Sequence, residues 1–206
     1  MERKINLPID EGAARELRMG DILYLTGTIF TARDEAHLRM LEEHDAGRTL
    51  PFDPATMGLF HCGPVMAKSD AGWRVVAAGP TTSIRMELFE DRFLDAFRTR
   101  IVIGKGGMGD KTQAALERVG AVYAHYTGGA GALAAERIER VEGVYWLDEL
   151  GMPEAVWIFA VKDFGPLLVT MDSVGGNLYA ELKPKIDENL KRILAEIDGG
   201  AKGAGL

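Results

Sequence analysis

Three basic residues occupy the same kind of place in this sequence. Arg33 stands two residues after Thr31, Arg85 two residues after Ser83, and Lys105 shortly before Asp110, each where an apolar run gives way to a helical pattern. A helix N-terminus carries a partial positive charge, so an unpartnered cation beside it costs a few tenths to ~1 kcal/mol. A bound anion reverses that sign, because the free backbone N–H groups accept carboxylate or phosphate and a neighbouring arginine adds a bidentate grip. Three such places would suit a small dianion. The competing reading is that each is an unrelated surface cation paired with a local acid such as Asp34, Glu35 or Glu87.

The run Gly104-Lys105-Gly106-Gly107-Met108-Gly109 fits G-x-G-x-x-G between a predicted strand and a predicted helix, the context a dinucleotide loop requires. The next strand, AVYAHYT, ends without the carboxylate that would hold a ribose. Asp110 also separates Gly109 from Lys111 and Thr112, so the phosphate loop of nucleotide hydrolases is not matched. A tight turn that needs glycine is the plainer reading. Histidine spacing gives no metal site. His37 and His44 share a helix face but stand ~10 Å apart along its axis, and His61 and Cys62, adjacent in a predicted strand, leave opposite faces. Core or surface histidines with one satisfied hydrogen bond suit His44, His61 and His125, whereas His37 lies four residues after Arg33 on the same side of its helix. No G-x-S-x-G elbow is present, and acyl-transfer chemistry is unsupported.

The elements that must position these residues follow from periodicity and punctuation. Residues 21–30 predict a strand and 34–45 a helix, with Thr31 and Asp34 spaced as a capping box. GLFHCGPV and GWRVVAAGP predict a hairpin across KSDAG. TTSIRMELFEDRFLDAFRT predicts a helix, RIVIGKGG a strand, DKTQAALERV a helix, AVYAHYT a strand, GGAGALAAERI a helix and VEGVYWLDEL a further strand. VWIFAVKDFG and PLLVTMDS predict paired strands around a turn at 163–166, and 177–197 an amphipathic helix, with 198–206 expected to fray. Hairpins mixed with β–α units predict one α/β layered domain over 1–206 with a mixed sheet.

Composition narrows the function classes. A chain of 206 residues that is 47% hydrophobic and 27% charged fits one globular domain with a real core. It carries 24 basic and 31 acidic residues, a net charge of −7, with no basic run, which argues against nucleic acid as a partner. No segment approaches the ~18 apolar residues of a membrane span, and MERKINLPIDEG lacks a signal peptide's apolar core, so a cytoplasmic protein is expected. The single cysteine, Cys62, excludes internal disulfides and a metal cluster held by several thiolates of this chain.

In ordered motifs over roughly residues 20 to 175 the sequence resembles the β-subunit, or C-terminal domain, of the iron–sulfur hydro-lyases, class I fumarate hydratase and L(+)-tartrate dehydratase. The motifs are Gly20-Asp21 with Leu-Thr-Gly-Thr-Ile (25–29), Thr-Ala-Arg-Asp-Glu-Ala-His (31–37), Gly-Pro-Thr-Thr-Ser-Ile-Arg-Met (79–86), Gly104 to Met108, Thr127 to Ala130, and Glu-Leu-Gly-Met-Pro-Glu-Ala (149–155). The resemblance implies a swivelling β/β/α domain. It implies a cysteine-bearing α-subunit, in a heterodimer or heterotetramer, that holds a 4Fe–4S cluster while this chain holds no metal. It also implies that Arg33, Arg85 and Lys105 bind the carboxylates of a small dicarboxylate and that Thr81 is the proton acceptor, with His37, Thr82, Gly104 and Gly106 around them. The expected reaction is (S)-malate to fumarate. The alternatives are dehydration of L(+)-tartrate, a dicarboxylate-binding module without catalysis, and a structural subunit only.

Overall fold

The computed structural model describes residues 1–70 and 72–203. Alternation along the second strand, β2 (Ile22–Thr31), shows how the fold is built: Leu23, Leu25 and Ile29 enter one apolar cluster and Phe30 enters another on the opposite face. The remaining strands are β1 (Glu2–Asn6), β3 (Gly58–Phe60), β4 (Val65–Ser69), β5 (Gly72–Ala77), β6 (Ile101–Gly104), β7 (Val122–His125), β8 (Ile138–Tyr145) and β9 (Val156–Met171). The helices are α1 (Glu11–Ala14), α2 (Asp34–Asp45), α3 (Glu90–Phe97), α4 (Asp110–Val119), α5 (Gly131–Glu136), α6 (Leu147–Leu150) and α7 (Leu178–Gly203), with 3-10 turns at Pro54–Thr56 and Ser83–Leu88.

Strands β2, β3, β6 and β7 pair in parallel in that order, and β9 runs antiparallel to both β7 and β2. These pairings form a closed circuit of five strands, each of them paired on both sides. Outside the circuit, β1 adds in parallel to β2 and β8 adds antiparallel to the first half of β9. The sheet is therefore mixed, in an α/β fold. Residues such as Phe60, Ile101, Ile103, Val122, Phe159 and Val169 pack inside the circuit. Phe30, Leu59, Val102 and Tyr123 face outward against Met40, Phe93, Leu94 and Leu116 of α2, α3 and α4.

Several sequence expectations are corrected. The capping box does not form: Thr31 is still inside β2, where its hydroxyl accepts from the Trp157 N–H at 3.0 Å, and Arg33 occupies the N-cap of α2 without a side-chain cap. The hairpin is shorter than expected. Gly58–Phe60 joins the main sheet, Gly63-Pro64 interrupts it, and only β4 and β5 pair as a hairpin. The helix expected from Thr81 onward divides into the 3-10 turn and α3, with Phe89 between them at φ −143°.

The pair expected around 163–166 is one continuous strand, β9. Asp163 takes a left-handed φ of 46° and donates its N–H to Thr26 Oγ1, so the turn residues become a bulge against β2, where register shifts occur. Strand β1 and helix α1 carry no expectation above, and α7 continues to Gly203. The fraying expected for 198–206 falls, at 204–206, outside the described residues.

Candidate active site

The C-terminal ends of β2, β3, β6 and β7 point the same way because these strands are parallel, and ligands of α/β sheets bind at such ends. Arg33 follows β2, His61 and Cys62 follow β3, Lys105 follows β6, and His125 closes β7. Residues 80–83 insert where β3 and β6 diverge. Pro80 bridges Cys62, Thr81 N–H donates to the His61 carbonyl at 2.7 Å, Thr82 bridges Lys105, and Ser83 N–H donates to the Lys105 carbonyl at 3.0 Å. The insertion brings Thr81, exposed Thr82 and Arg85 to the rim that already holds Arg33 and Lys105.

Each expected cation has a distinct setting. Arg33 lies across Gly63, where a Cβ would stand 2.7 Å from its Nη1, and its Nε is 3.1 Å from Glu154 Oε1. Glu154 Oε2 also accepts the Glu35 N–H at the start of α2, 3.1 Å away. Burial pushes the Glu154 carboxyl above its ordinary range, against the opposing pull of Arg33. Arg85, half exposed, reaches Asp34 Oδ2 through Nη2 at 2.6 Å, as the local-acid reading anticipated. The Lys105 stem passes over Gly128, and among the described residues no acid forms an ion pair with its ammonium.

The helix start after Lys105 is not a free anion site. Glu87 fills it, accepting from the N–H groups of Gly109, Lys111 and Thr112 at 2.7, 3.0 and 3.3 Å and from Thr112 Oγ1 at 2.6 Å. A carboxylate of this chain therefore occupies the place where a nucleotide phosphate would lie against α4. Within the glycine run, Gly106 has φ +77° and donates its N–H to His125 Nδ1 at 3.2 Å. Gly104 is needed for space, since a Cβ there would stand 1.8 Å from Ser83 Oγ.

Below the rim lies a polar cluster of which only His37 was expected near the site. His37, His61, Ser83 and Glu90 are all fully buried. Glu90 Oε2 is 3.3 Å from His37 Nε2 and 3.2 Å from His61 Nε2. His37 Nδ1 is 2.7 Å from the Arg33 carbonyl, and His61 Nδ1 is 2.9 Å from Ser83 Oγ, which also accepts the Lys105 N–H at 3.1 Å. Burial pushes Glu90 up, but the facing imidazoles outweigh it and hold the carboxyl below its usual range; burial lowers His61. Comparing histidines only within their own elements could not find this group, because α2, β3 and α3 each supply one member. Glu154 stood inside a quoted motif, but nothing local showed that it would face Arg33.

Cys62 is buried, and burial raises its thiol well above the ordinary range. A single buried thiol does not fit the three or four thiolates that an iron–sulfur cluster needs. Among the described residues no helix is long and apolar enough to cross a membrane.

The family described as Fumarase C-terminus matches residues 2–182. The chain is 45% identical over 180 residues to the "Putative L(+)-tartrate dehydratase subunit beta" of Methanocaldococcus jannaschii, covering 87% of this chain and 92% of that one. It is 41% identical over 197 residues to the "L(+)-tartrate dehydratase subunit beta" of Escherichia coli K12, covering 96% of each. It is 46% identical over 189 residues to the "Putative fumarate hydratase class I" of Geobacillus stearothermophilus, covering 91% of this chain but 35% of that longer protein.

Proposed function

This chain belongs to the fumarase C-terminus family, and from that premise we propose that it is the β-subunit of a two-subunit hydro-lyase converting (S)-malate reversibly to fumarate. The observation that carries this reading is the gathering of Arg33, Arg85, Lys105 and Thr81 at one rim of parallel strand ends. Dehydration of a 2-hydroxy dicarboxylate removes a weakly acidic proton from C3 and hydroxide from C2. Negative charge builds on the carboxylate next to C3 as the proton leaves, and fixed cations stabilise it.

In this reading Arg33 and Arg85 bind the two carboxylates. Each guanidinium meets its acid through one nitrogen, Nε for Arg33 and Nη2 for Arg85, which leaves further N–H donors for substrate. Lys105 supplies the third positive charge. Thr81 takes the C3 proton at Oγ1, a demanding role for a hydroxyl at its free pKa, and the surrounding cations are what would make it feasible. We assign the 4Fe–4S cluster to a cysteine-bearing α-subunit because Cys62 alone cannot hold one. We also infer a cytoplasmic heteromer in which residues 1–206 act as one domain.

A second reading is dehydration of L(+)-tartrate, favoured by the relatives matched over nearly their whole length, which are named tartrate dehydratase β-subunits. The test is to mix the purified chain anaerobically with its cognate α-subunit and assay both substrates. Activity is expected only in the mixture, and the larger kcat/KM identifies the substrate. Arg33→Ala and Arg85→Ala are each expected to lower kcat/KM by about one to two decades, the worth of a charge-assisted contact of ~1.5–3 kcal/mol. Turnover by this chain alone, or wild-type kinetics in both variants, would sink the assignment. Dicarboxylate binding without turnover in the reconstituted mixture would leave a non-catalytic binding module.

A further inference from the structure

We propose that His37, His61 and Glu90 form a closed site for one divalent metal ion of the zinc class, beneath the rim and separate from the substrate cations. The polar atoms left without a hydrogen-bond partner include four that lie together here: His37 Nε2, His61 Nε2, Glu90 Oε1 and Glu90 Oε2. Their side chains are completely buried, where an unsatisfied polar group is costly, so four in one place favour an ion among them. One ligand atom from each residue lies within 4.8 Å of the other two.

Two of the three donor separations have the length that coordination gives. Donors held ~2.0–2.1 Å from a tetrahedral ion stand ~3.3 Å from one another. The two Nε2 to Oε2 separations are 3.3 and 3.2 Å. Both contacts are at ion-pair distance, yet in neither is the geometry that of a good hydrogen bond.

The far side of each ring is arranged as in a metal centre. His37 Nδ1 faces the Arg33 carbonyl, an obligate acceptor, so it carries the proton and leaves the Nε2 lone pair facing the cluster in the neutral ring. His61 Nδ1 is fixed by the Ser83 hydroxyl. Two imidazoles and one carboxylate supply nitrogen and oxygen donors without a thiolate, a set that suits zinc. The ion would link the first turns of α2 and α3 to the residue after β3. This departs from the expectation that the chain holds no metal, and it does not depend on the proposed reaction.

The full chain, purified without chelator, is expected to contain about one zinc ion, to lose it on unfolding with EDTA, and to regain it with a melting temperature several degrees above the metal-free form. Cobalt in place of zinc is expected to give visible tetrahedral absorption bands. Glu90→Gln and His61→Asn are each expected to weaken zinc binding at least ~tenfold. The wild-type cobalt spectrum stands independently if either variant fails to fold. Identical melting of metal-free and zinc-supplemented wild type, with no cobalt bands, would overturn the proposal in favour of protons or a water at these four atoms. Zinc retained equally by both folded variants would overturn it too.

Discussion

Gly104 shows what a single hydrogen in place of a side chain makes possible. A Cβ at this position would lie 1.8 Å from Ser83 Oγ and 2.7 Å from the Tyr123 hydroxyl, which is itself 2.9 Å from Ser83 Oγ. Gly104→Ala therefore has to displace Ser83, and with it the contacts to His61 and the Lys105 N–H. It is expected to destabilise the chain by ~1–3 kcal/mol in urea unfolding, as overpacking does. Ser83→Gly removes the clashing hydroxyl, so the second substitution should cost less in that background; strictly additive effects would show that the hydroxyl is not the constraint. The need for glycine near 104 was legible in the sequence, but its reason was not, because Ser83 lies in a different segment. The same holds for the acids. Arg33, Arg85 and Lys105 could be picked out because strand-to-helix junctions are local patterns. Glu154, Glu87 and Glu90, which share the site with them or lie beneath it, are brought in by tertiary folding.

Helix α4 illustrates that dependence at the scale of an element. Its N-cap, Gly109, has no side chain, and its first turn is capped from outside by Glu87 of the 3-10 turn, which meets three N–H groups and one hydroxyl. A carboxylate at a helix N-terminus is favoured by both hydrogen bonding and the helix dipole. Glu87→Ala is expected to cost ~1–2 kcal/mol and to speed amide hydrogen exchange selectively in the first turn of α4, and unchanged exchange there would contradict the capping role. Helices α2 and α4 were legible nearly to the residue, since apolar period and first-turn acids agreed with the fold. Strand β9 was not. Asp163, Gly165 and Pro166 are good turn formers, but both halves of the segment find the same partner in β2, and the turn chemistry is absorbed as a bulge.

On the scale of the molecule the decisive feature is the circuit that β9 completes between β7 and β2. Leu23 of β2 faces Leu167 of β9, and Phe30 faces Ile158, so strands from opposite ends of the sequence must meet. The mixed α/β character of the fold was legible from hairpin signals interleaved with strand–helix units, while closure was hidden because no local signal reveals which edge a late strand will seek. Closure also sets an order in time. A chain emerging in sequence can pair β2, β3, β6 and β7, but the apolar side chains that fill the circuit stay open on two sides until residues 156–171 arrive, a long-range step that pays loop entropy before contacts repay it. A chain ending at residue 155 is therefore expected to collapse without a cooperative thermal transition and to bind hydrophobic dyes, and a sharp two-state melt of that fragment would show the opposite. During synthesis the half-made sheet would be the species most exposed to aggregation, so one late strand decides how long the newborn protein needs protection.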